Sequence, residues 1–364
     1  MSPIRHLKQQ KQTLIREHVK PNDIKGLTQV LNTGGPLAFF WWIATLGAEI
    51  SLWLTAAAMV LITLFTLRVL VLMHECGHGS MFRSQWLNRA FGFAFGVIAG
   101  MPQYVWSQHH DYHHSNNGNW EKYRGPLTTP SVAEFDAMTE KQRRMYEYSR
   151  SIAFAPLGGF VYLLFNPRYT WIKGSIQFLS HVARAKWARP RESWRSHAAS
   201  FKTRYWNSTT EYWHMFWNNI VLIGLWVALC FAIGPGLFFT IYLICVSLAG
   251  GAGIMLFTVQ HNFEHAYAAD TKQWDYDMGA LAGTTFLVLP RWLNWFTANI
   301  AYHHIHHLSA KIPNYCLVKC HEENAALFTD VTRVSLAEIP RSLRCLLWDT
   351  AGQRIISFAE YRSR

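Results

Sequence analysis

Two long apolar runs dominate the pattern of hydrophobic and polar positions. Residues 35–73 carry only Glu49 and Arg68 as charges, and residues 213–259 carry none. Each run is about twice the roughly 20 residues that take an α-helix across a bilayer. Neither keeps the polar stripe of a helix lying on a soluble core. The pattern predicts two helical hairpins, with spans over about 35–48, 51–73, 213–233 and 237–259 and tips at Gly47-Ala48-Glu49 and Gly234-Pro235-Gly236. Four shorter stretches (90–105, 152–171, 278–289 and 292–300) are brief or broken by glycine and proline. They are expected to lie in the interface rather than to cross. The expected fold is all-α: four transmembrane helices in two hairpins plus a cytosolic and interfacial helical cap. The chain divides into a cytosolic N-terminal arm (1–33), a membrane and catalytic unit (34–320) and a C-terminal cytosolic tail (321–364).

Composition supports this picture. The 17 Trp, 15 Tyr and 23 Phe fit aromatic belts at two interfaces. The net charge of +12 is unevenly placed. One basic group, from Arg5 to Lys25, precedes the first hairpin, and another, from Lys141 to Arg204, separates the hairpins, while the tips hold no Lys or Arg. By the positive-inside rule both termini and the central region face the cytoplasm. No nucleic-acid partner is expected, because the basic bias already has a topological cause; anionic lipid headgroups are its natural counter-charge. The first thirty residues lack the short apolar core of a cleavable signal. The six cysteines form no disulfide framework.

Candidate chemistry lies where the apolar stretches end. Four histidine clusters read His74-Glu75-Cys76-Gly77-His78, His109-His110-Asp111-Tyr112-His113-His114, His261-Asn262-Phe263-Glu264-His265 and His303-His304-Ile305-His306-His307. An even number of spans separates each from the next, so all four are expected on one side of the membrane. On a helix, His74 and His78 share a face, as do His261 and His265. His110, His113 and His114, and again His303, His306 and His307, place one histidine a turn before an adjacent pair. That spacing can serve two neighbouring ions. His109 and His304 lie off the pattern. Ligating imidazoles need a partner on the outer ring nitrogen, and Glu75, Asp111, Glu264 and Asn299 are candidates for that role. His6, His18, His181, His197, His214 and His321 have no partner at ligand spacing. Ten imidazoles at ligand spacing exceed the three or four of one zinc site. Two irons with open positions for dioxygen suit the set, and two zincs or a copper pair stay open.

At these residues the chain resembles the membrane fatty acid desaturases, marked by histidine boxes H-x-x-x-H, H-x-x-H-H and H-x-x-H-H. Here the boxes read HECGH, HDYHH and HHIHH. HECGHGSMF, SQHHDYHHSNNG, VQHNFEHAY and NIAYHHIHHLSAKIPNY are similar to the bacterial acyl-lipid branch that acts in mid-chain, omega-6-like, over about residues 35–320. The resemblance implies an oxidoreductase with two non-haem irons. Dioxygen and two electrons would be consumed, and a cis double bond formed in the acyl chain of a lipid. It implies ligands at His74, His78, His110, His113, His114, His303, His306 and His307, with another near the fourth span at His261. It departs at His265, where relatives of this layout often carry a carboxylate. An acyl tunnel is expected near Met101–Trp106 and Phe286–Trp295. No electron-carrying domain is visible, so a ferredoxin or a small b-type cytochrome is expected as donor, docked on the basic central region.

Two other readings compete. A related di-iron hydroxylase or ketolase, acting on alkanes or carotenoids, would share metal and fold. A histidine-rich metal transporter would place its ligands near the bilayer midplane, whereas these clusters sit at span ends.

Overall fold

The computed structural model describes residues 3–125 and 127–364. The chain opens with helices α1 (Pro3–His18) and α2 (Asp23–Ile50) and turns at Ser51 into α3 (Leu52–Gly77). Then come α4 (Gln85–Ala99), which folds back on α3, and α5 (Gln103–Asn116). Two short helices, α6 (Val132–Asp136) and α7 (Glu140–Ser149), lead to α8 (Ala155–Phe160), and a π-turn over Val161–Phe165 joins α8 to α9 (Asn166–Ala188). After α10 (Trp194–Ala199) come α11 (Thr209–Ile233) and α12 (Pro235–His261). The chain continues through α13 (Tyr276–Leu281), β1 (Phe286–Val288), α14 (Arg291–Phe296), α15 (His303–Leu308) and α16 (Asn314–Glu323). It ends in β2 (Arg333–Ser335), α17 (Ile339–Ser342), β3 (Cys345–Asp349), β4 (Arg354–Ser357) and α18 (Phe358–Arg362).

Among the described residues three helices, α3, α11 and α12, are long and apolar enough to cross a membrane. The second predicted hairpin turns at Gly234, whose φ of 81° suits glycine. In α2 the polar residues 23–33 continue as helix into the apolar residues 35–50. That apolar half rises only about 24 Å at 1.5 Å per residue, which is why it falls short of the others.

The core between the long helices gathers Ile62, Val69, Leu72 and Met73 of α3 with Phe238, Ile241 and Val246 of α12. α8 lies against α12 at backbone contact. A Cβ on Gly159 would fall 2.4 Å from the Gly251 nitrogen, and one on Gly250 would fall 2.8 Å from the Gly159 Cα. Small residues permit this closeness between helices. The π-turn has a local cause: Pro167 has no N–H, so the Leu163 carbonyl lacks its helical donor. Arg168 donates to that carbonyl instead, and also to Gly100 O and Asn219 Oδ1.

Arg68, one of the two charges in the first apolar run, is buried. It donates to Thr33 Oγ1 at 2.9 Å, Gln29 Oε1 at 3.3 Å and the Trp295 carbonyl, with its guanidinium carbon 3.9 Å from the Trp295 ring centroid. It therefore ties α2, α3 and α14 together, with no carboxylate paired to it among the described residues.

The structure corrects the all-α expectation outside the membrane. The molecule is mostly helical, but β1 pairs in parallel with β2, and β3 with β4 form an antiparallel hairpin. The signal was present as Leu346-Leu347-Trp348 and Ile355-Ile356 around a turn containing Gly352, a strand–turn–strand pattern. The N-terminal residues are helical too. Leu7 and Leu14 of α1 are buried with Ile305, Leu317 and Cys320, and Lys8 and Lys11 pair with Asp275 and Asp277 at 2.5 Å each.

Candidate metal centre

Four elements deliver histidines to one place. α3 carries His74 in its last turn and is capped by His78, and α12 ends on His261; α5 carries His110, His113 and His114, and α15 carries His303, His306 and His307. All nine are buried. They form two groups, each with its ligand atoms within 4.8 Å of one another: His74, His78, His110, His114 and His306, then His113, His261, His303 and His307. Each H-x-x-H-H box is shared between the groups. The groups touch where the His114 and His307 rings stack at 4.1 Å.

The Nε2 atoms converge. Separations are 3.3 Å for His74–His78, 3.0 Å for His110–His114, 3.1 Å for His114–His306, 3.1 Å for His113–His307 and 2.8 Å for His261–His303. A cation held at the ~2.0–2.1 Å of a metal–imidazole bond, with bonds at right angles, sets neighbouring nitrogens about 3 Å apart. Burial pushes His110, His113, His114, His303, His306 and His307 well below the ordinary imidazole value, and the surrounding imidazoles act in the same direction. His78 is lowered by burial against the opposing pull of Asp111. Neutral rings offer lone pairs, as metal binding requires, so the donor set fits two iron, zinc or copper ions.

On the outer nitrogens, Glu75 Oε1 lies 3.0 Å from His74 Nδ1 and 3.8 Å from His306 Nδ1, and Asp111 Oδ1 lies 3.5 Å from His78 Nδ1. The Gly283 carbonyl lies 3.3 Å from His261 Nδ1. The first group thus has carboxylate partners, and the contact on His261 is a neutral carbonyl. Glu75 is fixed by Ser80 Oγ and by the Asn314 N–H. Asn314 also exchanges hydrogen bonds with Gln29, which accepts from Arg68. No spacing in the sequence pointed to Gln29, Arg68 or Asn314, because the chain runs through three separate elements.

Three candidates are not brought to the site. α12 stops at His261, Asn262 is extended, and the four-residue helical spacing to His265 is lost. The His265 side chain is 75% exposed and lies outside both groups. Glu264 pairs with Arg341 and Arg354. Asn299 joins Asn294 and the Asn314 carbonyl in a turn where its φ is 63°. His109 is exposed, and His304 is buried beside His321, with 3.1 Å between ring nitrogens.

An apolar cavity of about 590 Å³ reaches both groups, touching His74 and His110 of one and His113 and His303 of the other. Its walls come from α3, α8 and α12, and Trp106, Tyr123 and Phe257 line it where they pack on the histidine rings. Met101 and Trp106 line it as expected, but Phe286–Trp295 do not. Phe286 instead packs on Tyr302 and His321, and Trp295 on Arg68. Leu343 and Leu346 of the C-terminal segment complete the wall.

Paired buried histidine groups beside such a cavity, next to membrane-length helices, suit a metal-dependent enzyme that acts on an apolar substrate. The chain belongs to the fatty acid desaturase family, whose model matches residues 50–335. It is 29% identical to a fatty acid desaturase of Bacillus subtilis (strain 168) over 98% of this chain and 92% of that one. It is 24% identical to an sn-1 oleoyl-lipid 12-desaturase of Picosynechococcus over 81% and 76%. With the chloroplastic sn-2 acyl-lipid omega-3 desaturase (ferredoxin) of Helianthus annuus it shares 25% identity over 69% of this chain and 51% of that one. The protein is accordingly an oxidoreductase acting on lipid acyl chains.

Proposed function

We propose that the chain introduces a cis double bond into the middle of a membrane lipid's acyl chain, consuming dioxygen and two electrons at a di-iron centre. The cavity carries this reading, because it places an apolar space of about 590 Å³ against both histidine groups at once. His74, His78, His110, His114 and His306 would hold one iron, and His113, His261, His303 and His307 the other. Bound there, the irons supply the strongly oxidising chemistry that an unactivated methylene pair requires. The protein's own residues do the rest. The cavity walls hold the chain extended, so that one methylene pair faces the histidines. Trp106, Tyr123 and Phe257 exclude water between lipid and metal. Glu75 and Asp111 orient the rings of the first group.

Substituting Glu75 with Gln keeps the shape and removes the charge behind His74. It is expected to weaken iron binding by about 10–100-fold, read by chelator competition on purified protein; unchanged affinity would remove Glu75 from this role.

The reading extends to topology. The apolar half of α2 serves as a fourth, shorter span, and residues 34–320 carry every proposed ligand, with Leu343 and Leu346 of the tail closing the cavity. Histidines and termini face the cytoplasm of a bacterial inner membrane. The electron donor is a ferredoxin or a b-type cytochrome. Gas chromatography of fatty acids from a host expressing the chain tests the activity. A new double bond is expected; unchanged fatty acids with an oxygenated hydrocarbon would assign the related hydroxylase or ketolase chemistry instead.

A further inference from the structure

The acyl cavity shares a wall with a second one. Arg150, Ser151, Ile152, Leu343 and Leu346 line both, and the second cavity, about 530 Å³, lies between α7 and the C-terminal α17–α18 segment. Its charged lining is Arg144, Arg150, Arg344 and Glu147. Glu147 is already paired with Arg362. Arg144 has Glu140 beside it, but both are exposed, and such a pair holds weakly. Arg150 is steadied by the Leu127 carbonyl and by the Tyr146 ring, 4.7 Å from its guanidinium carbon. The exposed Arg344 side chain has no hydrogen bond or ion pair among the described residues. The groove is thus a basic hollow set against an apolar one, with Ile152 in the lining of both.

Its surroundings are apolar and outward-facing. Met145, Tyr148, Ile152, Phe154 and Leu157 are exposed along the segment that forms the shared wall. Such a strip suits the membrane surface, where a lipid could slide sideways with its head at the arginines and one tail passing Ile152.

We propose that this groove holds the phosphate of the substrate's head. Guanidinium forks match phosphate oxygens in charge and geometry, and the hollow sits where the head of a lipid must stay when its chain fills the inner cavity. The inference rests on the desaturase reading and adds the substrate class: an acyl chain attached to a phosphate-bearing head. Two sources share that chemistry, the phosphodiester of a bilayer phospholipid and the phosphates of a thioester carrier such as coenzyme A.

The test uses the full chain in nanodiscs, with iron and a reducing system. One monounsaturated acyl group is offered on phosphatidylglycerol, on galactosyl diacylglycerol and on coenzyme A. At least one phosphate-bearing form is expected to exceed the glycolipid in kcat/KM by at least about tenfold. Which of the two is faster identifies the source. The combined R144Q, R150Q and R344Q variant is expected to bring that preference to near parity, through KM. Lysine at the three positions should restore part of it, because charge without the fork still attracts phosphate. Equal wild-type rates on all three substrates would overturn the proposal, as would a preference untouched by the variant. An equal loss on every substrate would also overturn it and give the groove to an acidic redox partner. A second readout needs no turnover: phosphatidylglycerol with a photoreactive head should label residues 144–152 or 340–359, and labelling only elsewhere would overturn the assignment. Labelling there with no double bond formed from any substrate would keep the groove and sink the desaturase reading.

Discussion

Replacing His303 with alanine is expected to abolish double-bond formation and leave one iron per chain in place of two. His303 belongs to the smaller group, lies 2.8 Å from His261 through the Nε2 atoms and lines the acyl cavity. Loss of an outer partner of a ligand weakens binding by about 10–100-fold, and loss of the ligand itself should exceed that. Elemental analysis of purified protein gives the iron count, and product analysis gives the turnover. The five-membered group keeps all its imidazoles and its Glu75 contact, so a chain stripped of both ions would show that the groups bind as one unit. Two ions with full turnover would remove His303 from the centre. A chain with His265 replaced by alanine is the natural companion. That side chain is exposed and outside both groups, so activity should stay within about twofold, as for surface changes generally.

Placing phenylalanine at Gly253 should block deep insertion of an acyl chain. Gly253 lines the cavity, and a Cβ there meets only Leu67 Cδ1, at 3.9 Å. The new ring therefore points into free space rather than into a helix. Displacing about three methylenes at ~0.8 kcal/mol each costs roughly 2.4 kcal/mol, or roughly 50-fold in binding a long chain. Shorter chains should be spared, and the position of the new double bond should move with the new floor. Gas chromatography and bond mapping with acyl groups of graded length would show this. An unchanged product profile would mean that the chain does not pass Gly253. Gly159 offers the contrast, since the Gly251 nitrogen lies 2.4 Å from its hypothetical Cβ, and even alanine there would push α8 off α12.

The histidine arrangement was readable in the sequence because helical spacing turns directly into geometry. A histidine followed one turn later by an adjacent pair must splay two imidazoles to either side, and the structure shares each such box between two groups. The same rule failed at His265, where spacing was counted across a helix end: α12 stops at His261, and periodicity has no meaning past that point. The long helices were legible for the reason that lipid imposes, a polarity near zero over many turns. α2 was only half legible, since its polar first turns read as an arm although they continue the same helix. The path from Arg68 through Gln29 and Asn314 to Glu75 joins residues up to 285 positions apart, and no local pattern encodes it. The acyl cavity was mislocated on one side for a similar reason. Aromatic content drew attention to residues 286–295, whereas the wall there is built from glycines and aliphatic residues of α8 and α12 and from the C-terminal Leu343 and Leu346.

That last contribution bears on when the molecule can act during its own synthesis. Leu343 and Leu346 come after every membrane-length helix and every histidine of the two groups. A nascent chain that has not yet reached Leu343 already has all of those helices and histidines, yet lacks part of the cavity wall beside them. Assembly of the whole cavity therefore waits for the segment that carries Leu343 and Leu346.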